Sequence, residues 1–252
     1  MAVPVVSSGV GRPPGRSRGG GAGHWFSAPF LAWEFLRRNP DYRSAYALWR
    51  RERREPLAPI DRRWGLRFAA DPALGAREAQ VFWLPEAAPG VVLPLEPRAP
   101  DFSGGAPYSL PSGHRVQADE GLHLRTDWGL QVLVQGRGSA DGPLIVALTY
   151  DEHLRLRVRA VDALDRLSTG RPPPKSHLTG AQLSRLHRCL AALDGALNGH
   201  SYRAIAEHVF GPRALDGEAW KTAAVRASTI RLVHAGRALM NGGYFKLLRG
   251  GL

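Results

Sequence analysis

The residues with the clearest chemical potential are basic side chains near the carboxyl end of the chain. Residues 175–252 contain 11 lysines and arginines against four acidic residues, which gives +7 of the total net charge of +12. Residues 1–23 contribute +3 and residues 24–174 only +2. A folded, cationic segment attracts polyanions, of which nucleic acid is the commonest. The charge alone is equally compatible with a solvated basic surface.

Seven side chains of this segment are candidates for contact with duplex DNA. They are Arg203, Arg213, Lys221, Thr222, Arg226, Thr229 and Arg237. On a helical wheel, the two threonines and Arg237 fall in one sector with Arg226. Lys221 lies beside this sector. Because arginine can pair with guanine through two hydrogen bonds, we expect Arg226 to read a base. Arg203, Arg213 and Lys221 are predicted to contact phosphates. Arg231 points to nearly the opposite side and is given less weight.

Three helices are predicted to position these side chains. Thr179 and Gln182 have the spacing of a capping box, which begins a helix with leucines at 183, 186, 190, 193 and 197. Ser201 can cap a second, short helix, and Asp216 can cap a third from about residue 217 to residue 241. A short helix that braces a longer one is the arrangement of a helix-turn-helix, whose second helix enters the major groove.

Two features leave other interpretations open. The loop at residues 211–217 is longer than the usual three- or four-residue turn of a helix-turn-helix. Three basic helices can also form a protein-interaction adaptor that binds its partner through the leucine seam (leucines 183, 186, 190, 193 and 197) and does not bind DNA. An enzyme would instead require a cleft that gathers titratable groups with shifted pKa values.

The region before these helices has mixed patterns and predicts an α+β domain over residues 24–170. Helices are predicted from Pro29 to about Arg38 and from Asp41 to about Glu55. Residues 122–126 and 130–134 alternate as in a β-hairpin, residues 144–148 predict a third strand, and residues 158–167 an amphipathic helix. Prolines at 172–174 predict a stiff linker over residues 171–175, followed by an all-α, helix-turn-helix-like domain over residues 176–252. We expect residues 1–23, rich in Gly, Pro and Arg, to be a disordered tail.

Several chemistries lack their signatures in this sequence. There is no phosphate-binding Gly-x-x-x-x-Gly-Lys-Ser/Thr loop, no nucleophile elbow and no paired metal-ligand spacing, so we expect no enzymatic activity, no cofactor and no metal. No apolar run approaches the roughly 18 residues of a membrane span, so no membrane contact is expected. The single cysteine, Cys189, cannot form an internal disulfide, which indicates a reduced, cytoplasmic protein.

Two groups of motifs resemble a known family. The first group resembles the DNA-binding domain described for type VI secretion transcription factors and for activators of integrative and conjugative element excision. It consists of residues 201–206, 210–211, 220–222, 226, 230–232 and 236–244. Residues 32–42 and 81–86 are similar to the proteobacterial transcriptional-regulator-like domain that precedes it in that family. The resemblance covers nearly everything from about residue 25 to residue 248.

The resemblance implies a function and a set of partners. It implies a sequence-specific DNA-binding transcription regulator, usually an activator, of a secretion or mobile-element operon. It also implies a homo-oligomer on double-stranded DNA, with RNA polymerase or an antiactivator protein as further partners.

Overall fold

A computed structural model of the chain describes residues 27–52, 55, 57–98, 109–136, 142–212, 220 and 224–251. Three of the predicted DNA contacts, Arg213, Lys221 and Thr222, lie outside these residues, as does the predicted tail. Within the described ranges, no helix has the length and apolar character needed to cross a membrane.

Two helices open the described part of the chain. Helix α1 spans Ser27–Leu36 and helix α2 spans Pro40–Arg51, each close to its predicted range. Between them, Asn39 caps α2, because its side-chain oxygen accepts hydrogen bonds from the N–H groups of Asp41 (2.8 Å) and Tyr42 (3.2 Å). The rings of Trp33 and Tyr42 are fully buried and meet edge to face at 5.7 Å, which fixes the two helices against each other.

A mixed five-stranded sheet follows. Its strands are β1 (Val92–Pro97), β2 (His114–Ala118), β3 (Gly121–Arg125), β4 (Gln131–Gln135) and β5 (Leu144–Val146). The order across the sheet is β2-β3-β4-β1-β5, with β1 parallel to β4 and the other neighbours antiparallel. The predicted hairpin is the β3–β4 pair, whereas β1 and β2 were not predicted.

Helix α3 (Leu154–Ser168) covers one face of the sheet. Its Ala160 and Ala163 are completely buried against Leu93 of β1 and Leu130, which precedes β4. Small alanine side chains let the helix lie close to the sheet, so this layer has an apolar core of its own. Helices and strands together confirm the predicted α+β fold class.

The carboxyl-terminal part is helical. Helix α4 spans Gly180–Leu197, α5 spans Tyr202–Phe210 and α6 spans Ala224–Ala238. A π-helical turn at Leu239–Gly243 then leads into α7 (Tyr244–Leu248). The capping box at Thr179 and Gln182 and the cap at Ser201 are both present as predicted.

The first and last helices share one hydrophobic core. Trp33 and Tyr42 of the amino-terminal helices belong to the same buried cluster as Leu186 of α4 and Tyr244 and Leu247 of α7. The hydroxyl group of Tyr244 also donates a hydrogen bond of 3.1 Å to the carbonyl oxygen of Trp64, 180 residues earlier. Part of the core of the carboxyl-terminal helices is therefore shared with the amino-terminal ones, which stabilise them.

Candidate nucleic-acid interface

Helices α4, α5 and α6 form a three-helix unit around a small buried cluster. Ala192, Ile205 and Val233 supply one side chain from each helix, and all three are at most 2% exposed. Two glycines allow the close approach. A Cβ atom at Gly195 would lie 2.8 Å from the Ile205 side chain, and one at Gly236 would lie 2.8 Å from the carbonyl oxygen of Cys189. The unit therefore holds α6 firmly on α4.

The inner face of α6 contains one of the predicted DNA contacts. Thr229 is completely buried, and its hydroxyl group donates a hydrogen bond of 2.8 Å to the carbonyl oxygen of Val225. The structure therefore places Thr229 in the interior, and not on an exposed DNA-facing sector as the helical wheel predicted. Threonine satisfies its hydroxyl within its own helix, so it can occupy an interior position beside Val233 and Gly236.

The opposite side of α6 is a cationic surface. We call it the outer face of α6 and define it by six exposed residues: Arg226, Ala227, Arg231, His234, Arg237 and Ala238. The helix has three arginines and no acidic residue. Within the part of the chain that the structure describes, none of the three guanidinium groups forms an ion pair, and Arg231 makes only a 3.0 Å hydrogen bond to the hydroxyl of Ser228. Their charge is therefore directed to solvent.

The helical wheel placed Arg231 on nearly the opposite side of α6 from Arg226, and the structure shows Arg231 exposed on the outer face. The wheel also placed the predicted DNA-facing sector around Arg226 and Thr229. That sector overlaps the side of α6 that is buried against α4. Arg226 and Arg237 lie at the edge of the exposed side, whereas Arg231 is well within it. The signal was available in the sequence, because Val233, Gly236 and Met240 mark an apolar inner side at helical spacing.

Arg203 lies on the exposed side of α5. Its guanidinium group is 3.4 Å from the carboxylate of Glu207, one helical turn later, and both side chains are about half exposed or more. Such a loose surface pair contributes little to stability, so the guanidinium group can exchange its carboxylate for another anion.

The leucine seam is an internal surface. Leu183, Leu186, Leu190 and Leu193 are at most 8% exposed and belong to the shared core or contact it, and only Leu197 is about half exposed. An adaptor that binds a partner through this seam would have to separate α4 from the rest of the molecule. The seam therefore does not support the adaptor interpretation.

Two consecutive residues connect the end of α1 to the three-helix unit, and we call this contact the junction. Arg38 donates hydrogen bonds to both carboxylate oxygens of Asp194 on α4, at 2.5 and 2.8 Å. Asn39 donates one of 3.1 Å to the carbonyl oxygen of Met240, in the π-helical turn that ends α6. Arg38 also contacts Glu34, and although burial acts in the opposite direction, these carboxylates raise the pKa of Arg38. The junction thus ties the end of α1 to the carboxyl-terminal parts of α4 and α6.

Cys189 is a structural residue of the same frame. Its thiol is 2% exposed among the leucines of α4, and burial raises its pKa. A buried, protonated thiol is a poor nucleophile and a poor metal ligand. His187, two residues earlier, is exposed on the other side of the helix.

Comparison with known families agrees with the resemblance described above. Residues 147–249 match the family model described as T6SS, transcription factor, DNA binding domain. Residues 25–69 match the model of the proteobacterial transcriptional regulator-like domain. The first match begins before α3 and runs across the proline segment at residues 172–174. No curated protein matches the chain.

Neither matched family is an enzyme family, and the surface that remains open on the three-helix unit is cationic. Both matches contain the helices described above: α1 and α2 lie in the amino-terminal match, and α3 to α7 lie in the other. The two matches therefore support a DNA-binding transcription regulator, in which one region is similar to the proteobacterial transcriptional regulator-like domain and the other to the DNA-binding domain of T6SS transcription factors.

Proposed function

We propose that the chain recognises a specific DNA sequence by inserting α6 into the major groove, with the outer face toward the bases. The observation that carries this proposal is the outer face of α6, whose arginines form no ion pair with any residue that the structure describes, held on a rigid frame by α4, α5 and the junction. Fifteen helical residues span about 22 Å, and the major groove, about 12 Å wide, admits a helix of this kind.

The arginines have different roles in this proposal. Arg226 lies nearest the amino-terminal end of α6, the end that approaches base edges when a recognition helix enters the groove. We therefore assign base reading to Arg226, and phosphate contacts to Arg231, Arg237 and Arg203. Arg213, Lys221 and Thr222 stay predicted contacts from the sequence. With α5 as the bracing helix, α5 and α6 would act as a helix-turn-helix with a long connection.

The regulator is proposed to act as a homo-oligomer in the cytoplasm. Two copies would place their recognition helices on half-sites about 34–36 Å apart, one turn of B-DNA. By its family, we propose activation of a secretion or mobile-element operon as its role, with RNA polymerase or an antiactivator protein as a further partner. The proposed functional divisions remain residues 1–23, 24–170 and 176–252, although the amino-terminal and carboxyl-terminal helices share one hydrophobic core.

The test begins with the full chain, because the isolated carboxyl-terminal fragment would expose the leucines that pack against α1. Genomic fragments bound by the purified full chain are selected and sequenced, and affinity is then measured for the selected site and for random DNA. Arg226→Ala should weaken binding to the selected site by roughly 10- to 100-fold, with a much smaller loss on random DNA.

Two further variants distinguish recognition of bases from contact with phosphates. Lys221→Ala and Arg231→Ala should weaken binding to both DNAs alike and reduce the salt dependence of affinity by about one counterion each. Arg77→Ala, which removes an exposed arginine from the amino-terminal half, is the matched control and should change neither affinity. Equal losses on both DNAs for Arg226→Ala would overturn the base-reading assignment.

A further inference from the structure

A cleft on the amino-terminal half is separate from the outer face of α6. It has a volume of about 720 Å³ and lies between residues 59–67, residues 83–86 and the sheet. Ligand sites for small molecules commonly measure about 300–1,000 Å³, so the cleft is large enough for a compact organic molecule.

The floor of the cleft is apolar. Leu66, Trp83, Val92 and Leu133 line it, and each of these side chains is at most 6% exposed, so they are held in place by the surrounding core. Leu66 and Trp83 are also paired through a β-bridge. A preformed apolar floor that contains an indole ring favours a flat, apolar ligand.

One wall of the cleft contains a fixed polar group. Glu120 accepts hydrogen bonds from Arg67, one of them at 2.6 Å, and lies 2.8 Å from Nε2 of His123. About one-third of the Glu120 side chain is exposed, so its carboxylate can also accept a hydrogen bond from a ligand. Burial opposes ionisation of Glu120, but hydrogen bonds from Arg67, the backbone and His123 lower its pKa to about 2.

The charges around the cleft argue against an anionic ligand. Arg67 is paired with Glu120, and Arg62 at the rim is paired with Glu86. Among the described lining residues, Arg67 inside the cleft is therefore held by its carboxylate, and only Arg62, at the exposed rim, has a pair loose enough to bind another anion. Burial lowers the pKa of His123 despite the opposing hydrogen bond to Glu120, so its ring is not a further cation at neutral pH.

We propose that this cleft binds an uncharged, flat, mostly apolar small molecule that donates one N–H or O–H hydrogen bond to Glu120. The ring of Trp83, in the floor, lies 6.2 Å from that of Tyr244, the first residue of α7. A ligand in the cleft would therefore contact Trp83, which packs against Tyr244 of α7. A regulatory role of the cleft would rest on the proposed DNA-binding function. Binding of a ligand by the cleft does not depend on that function.

Indole is a suitable probe, because it is flat, neutral and has a single N–H donor. Indole is titrated into the ¹⁵N-labelled full chain, and amide and tryptophan side-chain shifts are followed by NMR. We expect saturable shifts at Trp83, His123 and Glu120, with a Kd of about 1 mM or tighter. The analogue 1-methylindole lacks the donor and should bind at least about threefold more weakly. Indole-3-acetate, an anion, should bind more weakly than indole.

Variants of the cleft decide whether the site is the one proposed. Ile60→Trp fills the cleft from its lining and should weaken indole binding at least about tenfold. Because a substitution at this buried position could unfold the chain, Glu86→Trp, at the exposed rim, is made in parallel to cover the opening. Gln80→Trp, exposed and outside the lining, is the control and should bind indole normally. Absence of saturable shifts at the lining residues, or equal binding by Glu86→Trp and Gln80→Trp, would overturn the proposal.

Discussion

The junction and the outer face of α6 use the same residue type in opposite ways. At the junction, Arg38 is 16% exposed and holds two carboxylates, those of Glu34 and Asp194. On the outer face, Arg226, Arg231 and Arg237 are exposed and have no carboxylate among the described residues. The chain therefore separates arginines that hold the fold together from arginines whose charge is available to a partner. Net charge alone does not make this distinction, because it counts both groups equally.

The largest effect is expected from the core that supports both regions. Leu186→Ala removes a side chain that is 2% exposed and should lower the free energy of unfolding by about 2–5 kcal/mol, since it leaves a cavity between α4 and the amino-terminal helices. Leu197→Ala, at the exposed end of the same seam, should cost less than about 1 kcal/mol. Urea unfolding measures both. Equal losses would mean that the seam is not internal.

The second prediction concerns the paired arginine. Arg38→Met should lower the free energy of unfolding by roughly 1–3 kcal/mol, because it leaves the carboxylate of Asp194 without its bidentate partner. Arg226→Met on the outer face should change it by less than about 0.5 kcal/mol. A comparable loss in both variants would remove the distinction between the two groups of arginines.

The third prediction is for the cap at the junction. Asn39→Ala removes the N-cap of α2 and the bond to Met240, and should cost about 1–2 kcal/mol of unfolding free energy. Asn39→Ser keeps a neutral capping oxygen and loses only the donor to Met240, so it should cost less. If the two variants are equally unstable, the contact with the π-helical turn matters more than the cap.

The smallest expected effect is a pH dependence within the amino-terminal half. Burial lowers the pKa of His123 in the folded state, so the unfolded chain, with an ordinary histidine pKa of about 6.5, binds the proton more readily. Stability should therefore be complete above about pH 6.5 and decline as the pH falls below it. In His123→Gln the decline between pH 6.5 and 5.5 should be shallower, whereas exposed His187→Gln should behave like the parent chain. An unchanged slope in His123→Gln would contradict this reasoning.

Local signals in the sequence predicted a large part of the fold. The capping box at Thr179 and Gln182, the cap at Ser201 and the alternation around the β3–β4 hairpin all depend on residues close together in the chain. Strand β1 was missed because it contains Pro94 and Pro97, residues that usually argue against a strand, and because its parallel partner β4 lies far along the chain.

The candidate site was only partly predictable for a similar reason. Helical periodicity marks an apolar side of α6 at Val233, Gly236 and Met240. The packing of α6 on α4 adds that Thr229 belongs to this buried side and that Arg231 is exposed. The pairing of Arg38 with Asp194 joins residues 156 positions apart, and no local pattern marks it. Contacts between distant segments are set by the tertiary fold, so the sequence alone could not separate the two groups of arginines.

Photocrosslinking can detect contact between the outer face of α6 and DNA without any intermediate inference. A benzoylphenylalanine is placed at Ala227, exposed at the middle of that face, and in a second protein at Ala47, exposed on α2. We expect a crosslink from position 227 to the selected DNA site, which an excess of unlabelled site removes by competition, and no crosslink from position 47. DNA binding without a crosslink from position 227, or with an equal one from position 47, would contradict this expectation.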